Sequence, residues 1–313
     1  MHRQRAGAAV ALPVNRAGPD RKRRIQRLGA SRRVVQMTPS AVFRRLLATT
    51  EERLLAAPGD PVIERRRADL LRGLGDLAAA RRAYAALATD AVTAKVLTIL
   101  SGDPVGWTGR AGPVPFVRIE GFLNPEAQQR LWDEVADPLA VFVPAAVNGS
   151  EGERVDRQLR DAKVLSRSGS IRPWFMPRLE ALIEEARVLP RLGLEPFEIG
   201  ERVMQVTRHD HGGLLWPHRD RGSVHRLRQL SYVYYFHREP RRFEGGDLLL
   251  FDDPEVEGVD DSAAFTRIAP ENNSLILFPP DRLHCVTRVA LSDGDPLDGR
   301  WTVNGWLHRL DEA

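Results

Sequence analysis

Beyond Phe197 the chain is a succession of short runs rich in Val, Leu, Tyr, Phe and Thr, each closed by Gly, Pro, Asn or Asp. The runs are "RVMQVTRH", "RQLSYVYYFH", "GDLLLFD", "FTRIAP", "NSLILFPP", "HCVTRVAL" and "RWTVNGWL". β-Branched and aromatic residues suit a pleated, half-buried surface, and the intervening residues are turn formers. Many short strands at this spacing predict an antiparallel sandwich or jelly roll.

The earlier part of the chain has a different texture. Residues 38 to 100 are patterned for helix, with Thr38-Pro39 as N-cap and first-turn proline. Leu70, Leu74 and Leu77 recur at i, i+4 and i+7, followed by Ala80, Tyr84 and Leu87. Gly73-Leu74-Gly75-Asp76 breaks this stretch into two helices. The pair resembles a single tetratricopeptide hairpin, although such repeats need about three copies to be stable alone. A plain helical hairpin packed on the next domain is the alternative. Residues 101–115, "SGDPVGWTGRAGPVP", read as a linker. "FVRIEGFLNPEAQQRLWDEV" then predicts a short strand and a helix capped by Asn124 with Pro125 at its first position. A second helix is expected over Pro177 to Arg187. The expected class is α+β: a basic arm over 1–36, a helical region over 37–108 and a β domain with supporting helices over 109–313.

Charge and cysteine narrow the function. The chain carries a net +4, but residues 1–36 alone hold ten Lys or Arg against Asp20, a net of +9. The remaining residues therefore sum to −5, and the folded part is mildly acidic. A nucleic-acid-binding surface on the core loses its support, and any such contact would rest on the arm. The arm reads as disordered; an Arg-rich transit peptide, or upstream sequence preceding a start at Met37, are the other readings. The single cysteine, Cys285, excludes an intrachain disulfide and a Cys-rich zinc site, which fits a cytoplasmic protein. No apolar run approaches the roughly 18 to 20 residues that span a bilayer.

Within the β half, "GLLWPHRDRG" holds His218 and Asp220. Residues at i and i+2 of an extended strand share a face, so both can reach one cation. His284, after "SLILFPPDRLH", is the candidate third ligand. Two histidines and one carboxylate leave three adjacent positions open on an octahedral metal, the arrangement suited to non-haem Fe(II) oxygenases. Such a centre needs an electron source. A chelating 2-oxo acid supplies two electrons on decarboxylation, and its distal carboxylate calls for a buried cation. Arg300, in "DGRWTVNGWLH", is the preferred anchor and Arg288 its rival. Gly245-Gly246 marks a strand entry with unusual backbone angles.

Residues 116 to 309 resemble the prolyl-4-hydroxylase-like branch of the 2-oxoglutarate- and Fe(II)-dependent dioxygenases. The carriers are "HRD" (218–220), "FEGGDLLLF" (243–251), "NNSLILFPPDRLHCVTRV" (272–289) and "GRWTVNGWL" (299–307). The resemblance implies a double-stranded β-helix, with Fe(II) held by His218, Asp220 and His284 and the 2-oxoglutarate C5 carboxylate held by Arg300. O2 is the further co-substrate it implies. Where many relatives have a tyrosine about nine residues before the first ligand, this chain has His209. Tyr232 and Tyr234 are the expected replacements for its hydroxyl. His209, Trp216 and Trp306 are candidate pocket residues. The implied reaction is hydroxylation of an unactivated C–H bond coupled to conversion of 2-oxoglutarate to succinate, and retention of Asp220 argues against halogenation. A prolyl or other peptidyl side chain is the first substrate expectation. A free amino acid or small metabolite is open, as is an inactive jelly roll binding a protein partner through the hairpin.

Overall fold

The computed structural model describes residues 39–311 apart from 88–89, 108, 150–151, 224, 254–263 and 292–294. The basic arm 1–36 lies outside the described residues.

Four helices open the described chain: α1 (Pro39–Ala56), α2 (Pro61–Leu74), α3 (Leu77–Ala85) and α4 (Ala91–Ser101). Their ends are written in local chemistry. The Asp60 carboxylate accepts from Val62 N and Ile63 N ahead of Pro61, satisfying orphan donors at the start of α2. Gly75, at φ 86°, ends α2 in the left-handed conformation, and Asp76 caps α3 through Ala79 N. The expected break between helices therefore falls at Gly75-Asp76. Ala68, Leu71, Ala80, Ala83, Tyr84 and Val96 form a shared core, so α2 and α3 are flanked and completed by α4.

This helical region is bolted to the sheets by charge. The Arg72 guanidinium, 2% exposed, makes two parallel bonds to Asp252, at 3.1 and 2.6 Å. Burial alone would lower the basicity of Arg72, but Asp252 outweighs it and holds the guanidinium charged. Arg267 Nε donates to Gly73 O at 2.8 Å from the sheet side. Arg72→Ala leaves Asp252 buried without its counter-charge, so a loss of about 3–5 kcal/mol is expected in chemical denaturation. A loss under about 1 kcal/mol, the range of a surface pair, would show that the clamp does not hold the helices.

The β half begins with β1 (Val117–Glu120), α5 (Pro125–Ala136), β2 (Phe142–Pro144), β3 (Val147–Gly149), β4 (Gly152–Arg154), β5 (Arg160–Asp161) and β6 (Lys163–Leu165). Then come α6 (Arg172–Glu185), α7 (Val188–Leu192), β7 (Ile199–His209), β8 (Leu214–His218), β9 (Arg228–Phe236), β10 (Phe243–Gly245) and β11 (Leu248–Phe251). The last strands are β12 (Phe265–Ile268), β13 (Ser274–Phe278), β14 (His284–Val286), β15 (Val289–Leu291) and β16 (Arg300–Arg309). Among the described residues these strands form two main antiparallel sheets, ordered β1-β13-β9-β16-β7-β6-β2 and β12-β11-β14-β8-β5.

Helices α5 and α6 cover one face of the larger sheet. Leu131, Phe175, Leu179 and Leu182 pack there against Tyr232, Tyr234, Trp301 and Val303. Each such fully buried side chain contributes about 1.5–3 kcal/mol. Helix α6 starts at Arg172, five residues before the expected Pro177, which lies inside it. Burial of Phe175 and Met176 against the sheet extends the helix past a proline that sequence alone reads as a start. The run "HCVTRVAL" divides into β14, in the smaller sheet, and β15, paired with β10. No described helix is long and apolar enough to cross a membrane.

Candidate metal centre and its cavity

His218 is the last residue of β8 and His284 the first of β14, and the antiparallel register makes the two direct partners. Their rings lie 4.2 Å apart, centroid to centroid. Asp220 is not on the strand: it follows the end of β8, so the expected alternation of His218 and Asp220 along one extended strand is replaced by a turn. Bonds to the larger sheet hold that turn. Arg228 donates to Asp220 O at 2.8 Å, and Ser231 Oγ donates to Asp220 Oδ2 at 2.7 Å. Asp220 Oδ1 then lies 3.3 Å from His218 Nε2, and Oδ2 lies 3.5 Å from His284 Nε2. One ligand atom from each of the three falls within 4.8 Å of the others.

The tautomers are set from behind. His218 Nδ1 is 2.9 Å from Trp216 O, and His284 Nδ1 is 2.9 Å from Arg282 O. A carbonyl only accepts, so each Nδ1 carries the proton and each Nε2 offers a lone pair toward Asp220, as metal-ligating histidines require. Burial and the neighbouring His218 push the His284 imidazole down to about 4, keeping it neutral. Burial would raise the Asp220 carboxyl, but positive charge on the neighbouring His284 and His218 rings when protonated, and the bonds from His218 and Ser231, outweigh it and hold it well below the usual range. Two imidazoles, which ligate in their neutral form, and an ionised carboxylate suit a divalent first-row metal such as Fe(II).

The cluster opens on a cavity of about 430 Å³ between the two sheets. Arg300, at the start of β16 and 2% exposed, lines it too. Its Nε donates to Gly246 O at 2.6 Å and its NH1 to His209 Nδ1 at 3.2 Å. Gly246 has φ 69°, and a Cβ there would stand 2.4 Å from Arg300 Cδ. The glycine pair thus permits both the turn and the close approach of the arginine. Arg288, by contrast, is exposed, donates to Gly212 O at 2.8 Å and does not line the cavity.

His209 sits directly opposite Arg300 in the β7–β16 ladder and is 4% exposed. Burial, and the positive charges of Arg300 and Arg160, keep its ring neutral. Because Nδ1 accepts from Arg300, Nε2 carries the proton, and it is buried without a hydrogen-bond partner. Of the expected tyrosines, Tyr232 is among the residues lining the cavity and Tyr234 is not. The Tyr232 hydroxyl donates to Val203 O at 2.9 Å and that of Tyr234 to Asn273 Oδ1 at 3.0 Å, with both rings in the core beneath the helices. Side chains alternate along β9, so Tyr235, not its two neighbours, faces Arg300, whose guanidinium lies 5.0 Å from the ring centroid. The Tyr235 hydroxyl and the Thr207 hydroxyl are buried without an acceptor. Three donors without acceptors around a buried guanidinium form a cradle that fits a carboxylate.

Trp216 is 60% exposed at the cavity rim. Trp306 lines the cavity with the Arg228 guanidinium stacked 3.6 Å from its ring centroid.

One further carboxylate joins the two ligand-bearing strands, and no pattern in the sequence marks it. Asp253, 8% exposed, accepts from Arg219 NH2 at 2.6 Å and from Arg282 NH1 at 3.2 Å. Arg219 lies between His218 and Asp220, and Arg282 supplies the carbonyl that orients His284. Asp253→Asn keeps the shape but removes the charge both arginines need. It should weaken Co(II) binding, followed by absorption titration, by about 10- to 100-fold. Asp252→Asn, one residue away but clasped by Arg72, should lower the thermal midpoint and leave Co(II) affinity unchanged. Equal metal affinity in the two variants would remove Asp253 from the site.

A two-histidine, one-carboxylate cluster and a buried arginine face one cavity between antiparallel sheets, a set that could hold one metal ion with a carboxylate beside it. Residues 204–308, which contain all four groups, match the 2OG-Fe(II) oxygenase superfamily. This segment is similar to that superfamily, whose description names Fe(II) and 2-oxoglutarate. Over 200 residues it is 32% identical to a Synechocystis protein described as an uncharacterized PKHD-type hydroxylase; the match covers 63% of this chain and 64% of that one. The chain thus spans just under two thirds of that relative's length. Among solved structures, a Trichoplax adhaerens prolyl hydroxylase bound to a hypoxia-inducible-factor peptide is 18% identical, with a TM-score of 0.47, over 62% of this chain and 83% of that one. A Pseudomonas putida prolyl-4-hydroxylase is 20% identical, with a TM-score of 0.41, over 63% and 94% respectively.

Proposed function

We propose that the chain is an Fe(II)- and 2-oxoglutarate-dependent dioxygenase that hydroxylates an unactivated C–H bond, with residues 109–313 as a double-stranded β-helix catalytic domain and 37–108 as its helical support. The observation that carries this reading is the pairing, in one cavity, of three ligand atoms with fixed tautomers and a carboxylate cradle around Arg300. With iron and 2-oxoglutarate bound, such a site oxidises the 2-oxo acid to succinate and CO2 while one oxygen atom of O2 enters the substrate C–H bond.

The protein's own residues bind and orient. His218, Asp220 and His284 would hold the metal. Arg300 would grip the distal carboxylate of 2-oxoglutarate with charge-assisted bonds, joined by His209 Nε2–H, which takes the place of a tyrosine hydroxyl. Tyr235, whose ring lies against the Arg300 guanidinium, would help hold that arginine in place. Leu248, Phe278 and Val286 form an apolar wall that limits water at the centre. Trp216 and Trp306 flank the substrate's approach. A prolyl or other peptidyl side chain and a small metabolite both remain within this reading.

Anaerobic addition of Fe(II) and 2-oxoglutarate should produce a metal-to-ligand absorption band that depends on both, and admission of air should yield succinate even without the true substrate. Absence of both band and succinate would overturn the assignment.

A further inference from the structure

The dioxygenase reading leaves the substrate open, but the charges around the cavity narrow its chemistry. Among the described residues the lining carboxylates are Asp220 and the exposed Glu153, and the lining guanidiniums are Arg160, Arg219, Arg228 and Arg300. Arg219 is paired with Asp253. A divalent metal, Asp220 and dianionic 2-oxoglutarate together leave one negative charge, which Arg300 balances. Arg160 and Arg228 then face the cavity against Glu153 alone.

The two remaining cations are held differently. Arg228 also has a neutral partner, Asp220 O, and a buried Nε without an acceptor, but the Trp306 ring covers its guanidinium at 3.6 Å. Arg160 has only neutral partners, Gln205 Oε1 at 2.9 Å and Ala146 O at 3.2 Å. Its Nε is buried with no acceptor, and no carboxylate of the described residues is within ion-pair distance of it. Burial pulls its basicity down, opposed at longer range by Asp220 and Glu153. A guanidinium taken out of water without a counter-charge is costly, and an arriving anion relieves that cost.

Its position suits substrate reading. Arg160 lies on β5, paired with Leu215 of β8, and β8 ends at the ligand His218. Three residues along a neighbouring strand separate their backbones by on the order of 10 Å. Its side chain bonds Gln205 on the larger sheet, and both residues line the cavity that the metal ligands face.

We propose, on the basis of the dioxygenase reading, that Arg160 reads a carboxylate of the substrate, so that the molecule hydroxylated carries an acidic group a few bonds from the carbon attacked. The carboxylate belongs either to a free amino acid or related small acid, or to an acidic residue of a peptide. A neutral peptidyl segment is disfavoured, because it would leave the guanidinium buried and uncompensated beside it.

The test uses the full chain loaded anaerobically with Fe(II) and 2-oxoglutarate. The probes are the free L-amino acids, each beside its C-terminal amide, and alanine-flanked proline peptides carrying Asp or Glu beside their Asn or Gln counterparts. Perturbation of the absorption band reports binding near the metal, and stimulation of succinate formation reports productive binding. At least one carboxylate should bind about tenfold or more tighter than its amide. Arg160→Gln should erase that difference, and Arg160→Lys should restore part of it. A response confined to free acids would identify a small-molecule substrate, and one confined to acidic peptides a peptidyl substrate. The proposal is overturned if amides bind as well as carboxylates or if no carboxylate probe binds. It is also overturned if Arg160→Gln lowers the thermal midpoint while keeping the preference, which would make the residue a strut between the sheets. Loss of the band before any probe is added would instead sink the dioxygenase reading itself.

Discussion

Asp220→Ala should abolish both the 2-oxoglutarate-dependent absorption band and succinate formation. Asp220 is the one anionic ligand in the cluster, and its two oxygens face the two histidine Nε2 atoms at 3.3 and 3.5 Å. Without it the site presents two neutral imidazoles, and a divalent cation loses both a donor and the charge that offsets its desolvation. The loss of metal affinity should exceed the roughly 10- to 100-fold expected where a residue only orients a ligand. Asp220→Asn discriminates further: it keeps the shape and one oxygen donor but not the charge, so affinity should fall while the thermal midpoint of the metal-free protein changes less than in Asp220→Ala. Full succinate formation by the alanine variant would mean that the metal is held elsewhere.

Arg300→Gln should raise the apparent KM for 2-oxoglutarate by about 30- to 5000-fold, the range for truncating one partner of a buried, hydrogen-bonded charge pair. The size of the effect follows from burial: the guanidinium is 2% exposed and already fixed by Gly246 O and His209. It is therefore oriented before the co-substrate arrives. Lysine at this position keeps the charge but not the fork, so Arg300→Lys should recover only part of the loss. Binding of Co(II) alone should change little in either variant, because the arginine touches none of the three ligands. An unchanged KM in Arg300→Gln, with Arg288→Gln raising it instead, would transfer the anchor to Arg288 despite its exposure.

Sequence and structure divide the site unevenly. His218, Asp220 and His284 were readable together because metal chemistry demands particular donor types, and few side chains supply them. Arg300 is legible as a candidate because a carboxylate co-ligand calls for a cation. Which tyrosine faces that arginine is not legible. β9 carries three tyrosines in four positions, and a side-chain period of two means that a one-residue change of face exchanges Tyr234 for Tyr235. Only the packing of α5 and α6 on Tyr232 and Tyr234 decides which face is which.

The same holds for Asp253 and Arg160. Both belong to the commonest charged residue types, and nothing local distinguishes them from solvated surface groups. What makes them distinctive is where their side chains end: Asp253 between two arginines flanking the ligands, Arg160 in a cavity without a carboxylate partner.

By itself, the sequence determined the strand-rich and helical halves, the helix ends at Gly75 and Asn124, and the identities of the ligand candidates. These depend on residue type and on neighbours within a few positions of the chain, where steric and hydrogen-bonding preferences act. Only the tertiary structure decided the turn that lifts Asp220 off its strand, the face each tyrosine presents, the clasp of Arg72 on Asp252 and the unbalanced charge of Arg160. Each of these is a contact or a missing counter-charge between segments far apart in the chain, and its energy exists only once packing has removed the water between them.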